Sequence, residues 1–425
     1  MGSDPIQLVA VGIAALCGVF ALILVMRRWP DWAMALWTAT LFFTPVWLGV
    51  GVFGVFISAL SAMTVLAIAS GFGRGLRWSF VDTVMLVLFF ALVLAYFIGD
   101  SVTGHIQESI LVWFVPYIWG RVVLSRVSAE WIATCIAVAA IVASVLAITE
   151  FFTGNNIFLS IPGASSSVWN EQRERAGLLR VEGAFGHSIA LGGTLSMAAC
   201  FVMSVRWPTW ARTLALLVIG VATALTFSRL GIIGYALTVL LAAIFLGAYL
   251  GRELRIAALA LIAVGTVVGL PLMLQIFGSA GAEAEGSAGY RFDLLPLVDS
   301  MALVGLSPAR EVLATGEDYW GGFRSIDSAL ILIGLRFGLV CLAIVLLLII
   351  VLIVGVIRGR ATPASIALVA QIPAFAAVAL ITQYAVFVWF AAGLAVASYS
   401  LGAGRAAGGL HDTRVGATKD LVRAT

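Results

Sequence analysis

The sequence predicts an all-α polytopic membrane protein with about 12–13 transmembrane helices and two large extracytoplasmic loops. Hydrophobic residues make up 62% of the 425 residues, whereas charged residues make up only 11%. Uninterrupted apolar runs of about 20 residues, the length that crosses a ~30 Å hydrocarbon layer, recur along the whole chain. The four cysteines lie inside such runs and far apart in sequence, which indicates packing residues rather than a disulfide or metal framework.

Hydropathy divides the chain into candidate spans whose bounds carry an error of a few residues. The spans are closely joined and no repeat is evident, so residues 1–425 are predicted to form a single transmembrane bundle. The spans lie at residues 6–26, 32–50, 51–70, 80–98, 107–124, 131–152, 187–205, 210–227, 229–250, 254–277, 328–357, 362–381 and 383–403.

Basic residues give the orientation, because arginine and lysine accumulate in cytoplasmic connections. Alternate connections are basic, and the tail 404–425 is basic too, so the tail is predicted to be cytoplasmic. Segments 153–186 and 278–327 then become the two large extracytoplasmic loops. The net charge of +3 reports this bias, and no nucleic-acid partner is expected.

Three stretches allow more than one interpretation. Residues 32–70 form either two spans or one broken span, and the amphipathic stretch 106–124 either crosses the membrane or lies at its interface. Apolar residues from 290 to 304 recur at helical spacing, which predicts an amphipathic helix lying on the outer leaflet.

The first candidate site is the sequence Arg180-Val-Glu-Gly-Ala-Phe-Gly-His187 at the end of the first loop. Its glycines allow a tight turn back into the membrane, so Arg180, Glu182 and His187 can converge there. A histidine at the start of a helix can equally be a cap or a packing residue. Acidic residues in outer loops can likewise be the plain counterpart of the basic inner connections.

The second candidate is Arg229, in the sequence Thr226-Phe-Ser-Arg229 between two apolar runs. The turn is too short for a solvated loop. Arg229 therefore either snorkels to the interface or meets an anion at the membrane surface.

The second loop supplies the remaining candidates. Arg291 and Arg324 are arginines placed against the orientation bias, and each guanidinium can grip a phosphate through two parallel hydrogen bonds. Asp327 opens an apolar helix that is predicted to end near Ile357, where it is either a proton acceptor or the helix N-cap. Arg336, further down the same helix, would be an intramembrane cation lining a cavity.

Together these segments resemble the O-antigen ligase and O-antigen polymerase superfamily of integral-membrane glycosyltransferases, of the GT-C type. The resemblance covers roughly residues 150–345 and rests on Thr-Phe-Ser-Arg229, on Tyr-Arg291 before Gly305-Leu-Ser-Pro308, and on Asp327-Ser328 before Gly334-Leu-Arg-Phe-Gly338. Ligases of the family carry histidine where this chain has Asp327. Aspartate is more similar to the polymerases of exopolysaccharide pathways.

The resemblance implies an inverting, metal-independent transfer of an oligosaccharide from a polyprenyl diphosphate to a hydroxyl of a glycan or lipid-linked acceptor. It would take place on the outer face of the bacterial cytoplasmic (inner) membrane, among membrane lipids, and without a cofactor. Arg229 and Arg291 are expected to stabilise the diphosphate leaving group, and Asp327 to accept the proton. Arg180, Glu182, His187, Arg324 and Arg336 are the further substrate-binding candidates.

Two other functional classes fit the same topology. A transporter or flippase of lipid-linked glycans would show charges spread through mid-membrane positions, or repeat symmetry. A peptidoglycan-type polymerase shares the topology and the lipid-linked donor. No metal site is predicted, because the outer loops hold no Asp-x-Asp pair.

Overall fold

The computed structural model describes residues 5–52, 55–71, 77–163, 172–247, 249–279, 289–290, 293–313 and 318–400. Arg291, the tail 404–425 and parts of both large loops lie outside these ranges. The helices are α1 Pro5–Arg28, α2 Pro30–Phe43, α3 Ala59–Gly71, α4 Phe80–Phe97, α5 Thr103–Ser109, α6 Val115–Val123, α7 Ala129–Thr153, α8 Ser188–Ser204, α9 Thr209–Leu225, α10 Arg229–Phe245, α11 Arg252–Val264, α12 Leu270–Ser279, α13 Ala329–Phe337, α14 Leu339–Ile357, α15 Pro363–Val369, α16 Ile372–Ala377 and α17 Thr382–Ser400.

Short π-helices, 3₁₀ helices and antiparallel hairpins complete the described chain. The π-helices join α5 to α6 and α11 to α12 at Ile110–Phe114 and Gly265–Gly269. The 3₁₀ helices are Ile157–Ser160, Gly183–Phe185 and Leu295–Ser300. The hairpins are β1 Gly49–Val52 with β2 Val55–Ser58, β3 Glu174–Arg175 with β4 Leu178–Leu179, and β5 Arg310–Val312 with β6 Asp318–Trp320.

The described chain is therefore mostly helical, as the sequence predicts. Within the described ranges, α4, α7, α14 and α17 are long and apolar enough to cross a membrane. Only 17% of the α14 window is buried inside the protein, so its apolar side chains face outward. Water would not tolerate so large an apolar surface, whereas a bilayer would.

The centre of the bundle is α8, which is buried on nearly every side. Its small residues let neighbouring backbones approach closely, as at Gly192, which packs against Gly231 of α10. Buried polar groups there are paired: Gln371 donates to Ser196 over 2.9 Å and accepts from the Tyr384 hydroxyl over 2.9 Å. This core fixes the ends of the helices that carry the candidate site.

Two sets of helix ends come together in the structure. At one end, which we call the basic end, the guanidinium of Arg126 bonds to the carbonyls of Arg27 and Ser70, and Arg121 bonds to the carbonyl of Arg77. At the other, the loop end, α2, α7, α17 and both large loops meet. Basic connections near residues 27, 77 and 121–126 thus lie close together at one end of the bundle.

Residues 32–70 form two helices, α2 and α3, separated by the β1–β2 hairpin. The stretch 106–124 is also interrupted, because the π-helix Ile110–Phe114 separates α5 from α6. A π-helix inserts an extra residue into the helical ladder, and such insertions occur frequently at functional sites.

The single helix predicted from Asp327 to Ile357 is wrong, because the chain breaks at Gly338. Gly338 has a φ of +90°, and a Cβ there would lie 2.8 Å from the Leu303 carbonyl oxygen. Only glycine fits such a position without strain. The second loop fills the break: the amide of Leu339 donates to the Ala302 carbonyl over 2.9 Å.

The amphipathic helix predicted over residues 290–304 is also wrong. In the described part of this stretch, residues 293–304, the structure has the 3₁₀ helix Leu295–Ser300, followed by irregular chain that bends at residues 303–305. The apolar residues Leu294, Leu297 and Met301 are buried against Trp320 and Leu335 rather than exposed on a lipid surface.

Candidate functional site

The first large loop folds across the turn between α9 and α10. Its β3–β4 hairpin turns through Ala176 and Gly177, which both have positive φ, as in the two-residue turns that match strand twist. The guanidinium of Arg175 donates to the Phe227 carbonyl over 2.8 Å, and that of Arg180 donates to the Thr226 carbonyl over 3.1 Å. Two arginines of the loop are therefore held beside the turn that carries Arg229.

The turn itself is shaped by Phe227, whose φ of +46° is unusual for a bulky residue. Ser228 then caps α10 by accepting from the Gly231 amide over 3.2 Å. Arg229 is the first residue of α10 and is half-buried. Its positive charge lies at a helix N-terminus, where the free amides and the helix dipole also favour an anion.

Two glutamates lie behind these arginines. The carboxylate of Glu150, in the last turn of α7, accepts from the amides of Glu182 over 3.1 Å and of Gly183 over 3.0 Å. This contact pins the end of the loop to the bundle, because it satisfies two backbone donors at once.

Glu182 is only 2% exposed. Burial raises the pKa of Glu182 to about 8, although the nearby charges of Arg173 and Arg180 act in the opposite direction. Its Oε1 has no hydrogen-bond partner among the described residues. At pH 7 Glu182 is thus mainly a neutral acid that can donate a hydrogen bond.

His187 caps α8, because its Nδ1 accepts from the Ile189 amide over 3.2 Å. Burial, together with the charges of Arg173 and Arg180, lowers the pKa of His187 to about 3. The imidazole is therefore neutral, with one nitrogen occupied by the cap. The packing and capping alternative describes His187 better than the role of proton acceptor.

On the second loop, Asp327 accepts from the Ser325 hydroxyl over 3.2 Å, and the Tyr290 hydroxyl donates to the Ser325 carbonyl. The N-cap alternative for Asp327 is wrong, because the cap of α13 is Ser328, which accepts from the Ile331 amide over 3.3 Å. Asp327 remains half-exposed beside the cap, and Arg324 is exposed on the same loop.

The two loops meet at the break between α16 and α17. The amide of Ala329 donates to the Val378 carbonyl over 2.9 Å, two residues from Asp327. The side-chain amide of Gln383 donates to the Ala184 carbonyl over 3.2 Å, two residues from Glu182. Val378 and Gln383 are five positions apart along the chain, so at most ~18 Å separates their Cα atoms.

A second charged cluster at the loop end contains Arg336, and its other members were not identified from the sequence. Asp318 accepts from Arg310 over 2.6 Å and from His105 over 2.9 Å, while Arg336 bonds to Glu108 over 3.2 Å. Burial, followed by the charge of Arg336, lowers the pKa of His105, so His105 is a neutral donor. The pairing of Arg310 with Asp318 across eight residues was the signal available in the sequence.

In the part of the chain that the structure describes, no three His, Cys, Asp or Glu side chains are grouped as a metal site. Comparison with protein-family models, with curated proteins and with solved structures finds no match to this chain.

Proposed function

We propose that this chain is an integral-membrane glycosyltransferase of the O-antigen ligase and polymerase type. It would transfer an oligosaccharide from a polyprenyl diphosphate to a glycan hydroxyl on the outer face of the membrane. The observation that supports this best is the β3–β4 hairpin, which holds Arg175 and Arg180 against the Thr226–Arg229 turn beside buried Glu182.

The diphosphate would bind between the hairpin and the start of α10. Arginines suit this task because their planar donors match phosphate oxygens, and fixed cations stabilise the negative charge of a leaving diphosphate. A neutral Glu182 would add a hydrogen bond without repelling the anion. Arg291 and Arg324 would contribute from the second loop.

The prenyl chain would occupy an apolar groove within the bundle. A cavity of about 290 Å³ runs from Ser79, Arg360 and Tyr399, at the basic end, to Leu330 and Leu380 beside the α16–α17 break. Its wall is almost entirely aliphatic and aromatic, which suits an isoprenoid. The groove would deliver the diphosphate close to both loops.

The reaction follows from this arrangement. The acceptor oxygen attacks the anomeric carbon from the face opposite the diphosphate and forms the new C–O bond. The bond to the diphosphate oxygen breaks, and its electron pair leaves with the diphosphate, which the arginines hold. Asp327 accepts the hydroxyl proton. Attack from the face opposite the diphosphate inverts the configuration at the anomeric carbon, with the arginines in place of a metal ion.

The test is a transfer assay with purified protein and its host's lipid-linked oligosaccharide. A ladder of products indicates a polymerase, and a single product indicates a ligase. Asp327→Asn should lower the rate by roughly 10²–10⁴, because an amide accepts no proton at neutral pH. Asp299→Asn, an exposed change on the same loop, is the matched control.

Near-normal transfer by Asp327→Asn would remove Asp327 from the mechanism and direct attention to Glu182. Histidine, which the ligases carry at this position, should restore part of the activity. The absence of any product from intact protein and lipid-linked donor would refute the transfer reaction itself.

One observation favours transport as a second candidate function. The chain breaks at Gly338 and again between α16 and α17, and discontinuous helices are typical of transporter binding sites. A transporter would move the lipid-linked glycan across liposome membranes without forming a glycosidic bond. Measuring translocation and product in the same liposomes separates the two functions.

A further inference from the structure

A separate polar cavity lies at the loop end between α3, α5 and the start of α17. Its volume is about 340 Å³, and none of the sequence-predicted site residues lines it. Its polar lining residues carry hydroxyl groups, side-chain amides and one carboxylate, and they include Ser58, Ser61, Gln107, Glu108, Thr382 and Gln383.

Two polar atoms in this lining are left without partners among the described residues. Gln383 is only 4% exposed, and its amide nitrogen donates to the carbonyls of Thr44 and Ala184. Its Oε1 accepts nothing, and neither does the hydroxyl of neighbouring Thr382. Buried polar atoms are nearly always paired, so this pair indicates a missing hydrogen-bonding ligand.

The backbone at the same position is strained. Thr382 has a φ of +55°, in the left-handed region that β-branched residues avoid. Such conformations persist only where the surrounding structure enforces them, and they are concentrated at ligand-binding and active sites. The strained residue begins α17 and directly precedes Gln383, which lines the cavity.

The chemistry of the lining selects the class of ligand. No lysine or arginine is among the described lining residues, and the carboxylate of Glu108 is paired with Arg336 over 3.2 Å. The lining therefore offers a diphosphate no free cation. Amides, hydroxyls and a carboxylate satisfy sugar hydroxyl groups, which both donate and accept hydrogen bonds. Phe56, which is 39% exposed at the rim, offers an apolar ring to the C–H face of a sugar.

We infer that this cavity binds the acceptor glycan, as a chain of neutral sugars. The inference rests on the proposed function, which requires a second substrate site without cations. The location agrees: Gln383 contacts Ala184, beside Glu182, and Leu380 lines both this cavity and the apolar groove. A sugar hydroxyl leaving the cavity would meet the donor near the α16–α17 break.

The experiment uses photocrosslinking in cells of the native host, so the sugar need not be known. Phe56 is replaced by p-benzoylphenylalanine, an aromatic residue of similar shape, and the irradiated full-length protein is purified and digested. We expect the crosslinked peptide to carry hexoses by mass spectrometry. Phe97, which is 77% exposed and does not line the cavity, is the matched control and should carry none.

A second variant tests the orphaned amide. Gln383→Met keeps the length of the side chain but removes its hydrogen bonds, and it should lower the yield of glycan adduct roughly tenfold. Gln371→Met removes an equally buried amide that lies outside the cavity, so it should leave the yield per folded molecule unchanged. Equal losses in both variants would indicate misfolding rather than binding, and would overturn the role of Gln383.

The inference and the proposed function can fail separately. Adducts that carry only acyl or prenyl chains at position 56, in a protein that still transfers glycan, would overturn the cavity assignment alone. Hexose adducts in a protein that forms no product would retain the glycan site but exclude the transferase. The absence of carbohydrate at position 56 contradicts the inference in either case.

Discussion

Two buried carboxyl groups at opposite ends of the bundle have different surroundings. Asp82, in the first turn of α4, accepts from the Tyr117 hydroxyl over 2.6 Å and twice from Arg121 over 2.8 Å. It also accepts from the Ser79 amide over 2.8 Å, which closes a capping box. Glu182, at the loop end, is equally buried, yet its Oε1 has no partner among the described residues.

We interpret this as the difference between a structural group and a candidate functional one. Every hydrogen-bonding position of Asp82 is used, so the pair with Arg121 ties α4 to α6 and has nothing left for a ligand. Glu182 keeps an acceptor or donor position open next to several arginines. An incompletely satisfied polar group costs stability, and natural proteins tend to keep such groups where a ligand completes them.

The largest expected effect concerns the basic end, where Asp82 and Arg121 are paired. Arg121→Met leaves the Asp82 carboxylate buried without its cation, which should destabilise the protein by about 3–5 kcal/mol. Unfolding of the protein in detergent, induced by heat or by denaturant, measures the loss of stability. Transfer activity per folded molecule should stay near that of the wild type, because the site lies at the other end.

Arg206→Met is the control for this change. Arg206 pairs with Glu130 over 3.7 Å but is 89% exposed, so its removal should hardly alter unfolding. A similar stability for Arg121→Met and the wild type would mean that the buried pair adds nothing, and the contrast with Glu182 would lose its basis.

The next effect concerns the loop end. Arg229→Lys keeps the charge but loses the planar pair of donors, so turnover should fall roughly 10²–10³-fold while folding is unchanged. The same loss is expected for Arg291→Lys. Arg252→Lys is the matched control, because Arg252 is also the first residue of a helix but lies exposed at the start of α11.

Steady-state transfer rates with saturating acceptor measure this effect. Full activity in both Arg229→Lys and Arg291→Lys would support the snorkelling alternative. The arginines would then serve as membrane anchors. The loop end would no longer differ in kind from the basic end.

Much of the helical layout could be predicted from the sequence. Long apolar runs predict α4, α7 and α9 closely, because the need to bury backbone groups in lipid leaves few alternatives to a helix. Arg229 was identified for a related reason: a charge between two apolar runs with a short turn must lie at a boundary. These features depend on local sequence alone.

The breaks could not be predicted, because they depend on distant contacts. Gly338 is a single glycine in a long apolar run, and helices tolerate single glycines. The break is apparent only from the backbone of Ala302 and Leu303, which packs against the chain there. Helical periodicity over residues 290–304 indicated an apolar face correctly. It did not indicate that Trp320 and Leu335, rather than lipid, cover that face.

The site was predicted in part for the same reason. Arg180, Glu182 and His187 lie close together, as their short spacing indicated. The Glu150 contact that pins them spans 32 residues, and Gln383 reaches Ala184 across 199. No local pattern distinguishes these two polar residues from others at helix ends.

The smallest expected effect is a change in pH dependence. The pKa of Glu182 is raised to about 8, so the neutral acid persists below pH 8 and ionises as the pH rises through it. Ionisation places a negative charge beside the bound diphosphate, so the transfer rate should decline above pH 8, by roughly tenfold per pH unit.

Glu182→Gln stays neutral at every pH, so its rate should show no such decline, with less than about tenfold lost at pH 7. Glu174→Gln, an exposed change on the same hairpin, should keep the wild-type profile. Transfer rates measured from pH 6 to 10 on all three proteins decide the matter. A decline that persists in Glu182→Gln would assign the titration to another group, and Glu182 would then be as closed to substrate as Asp82.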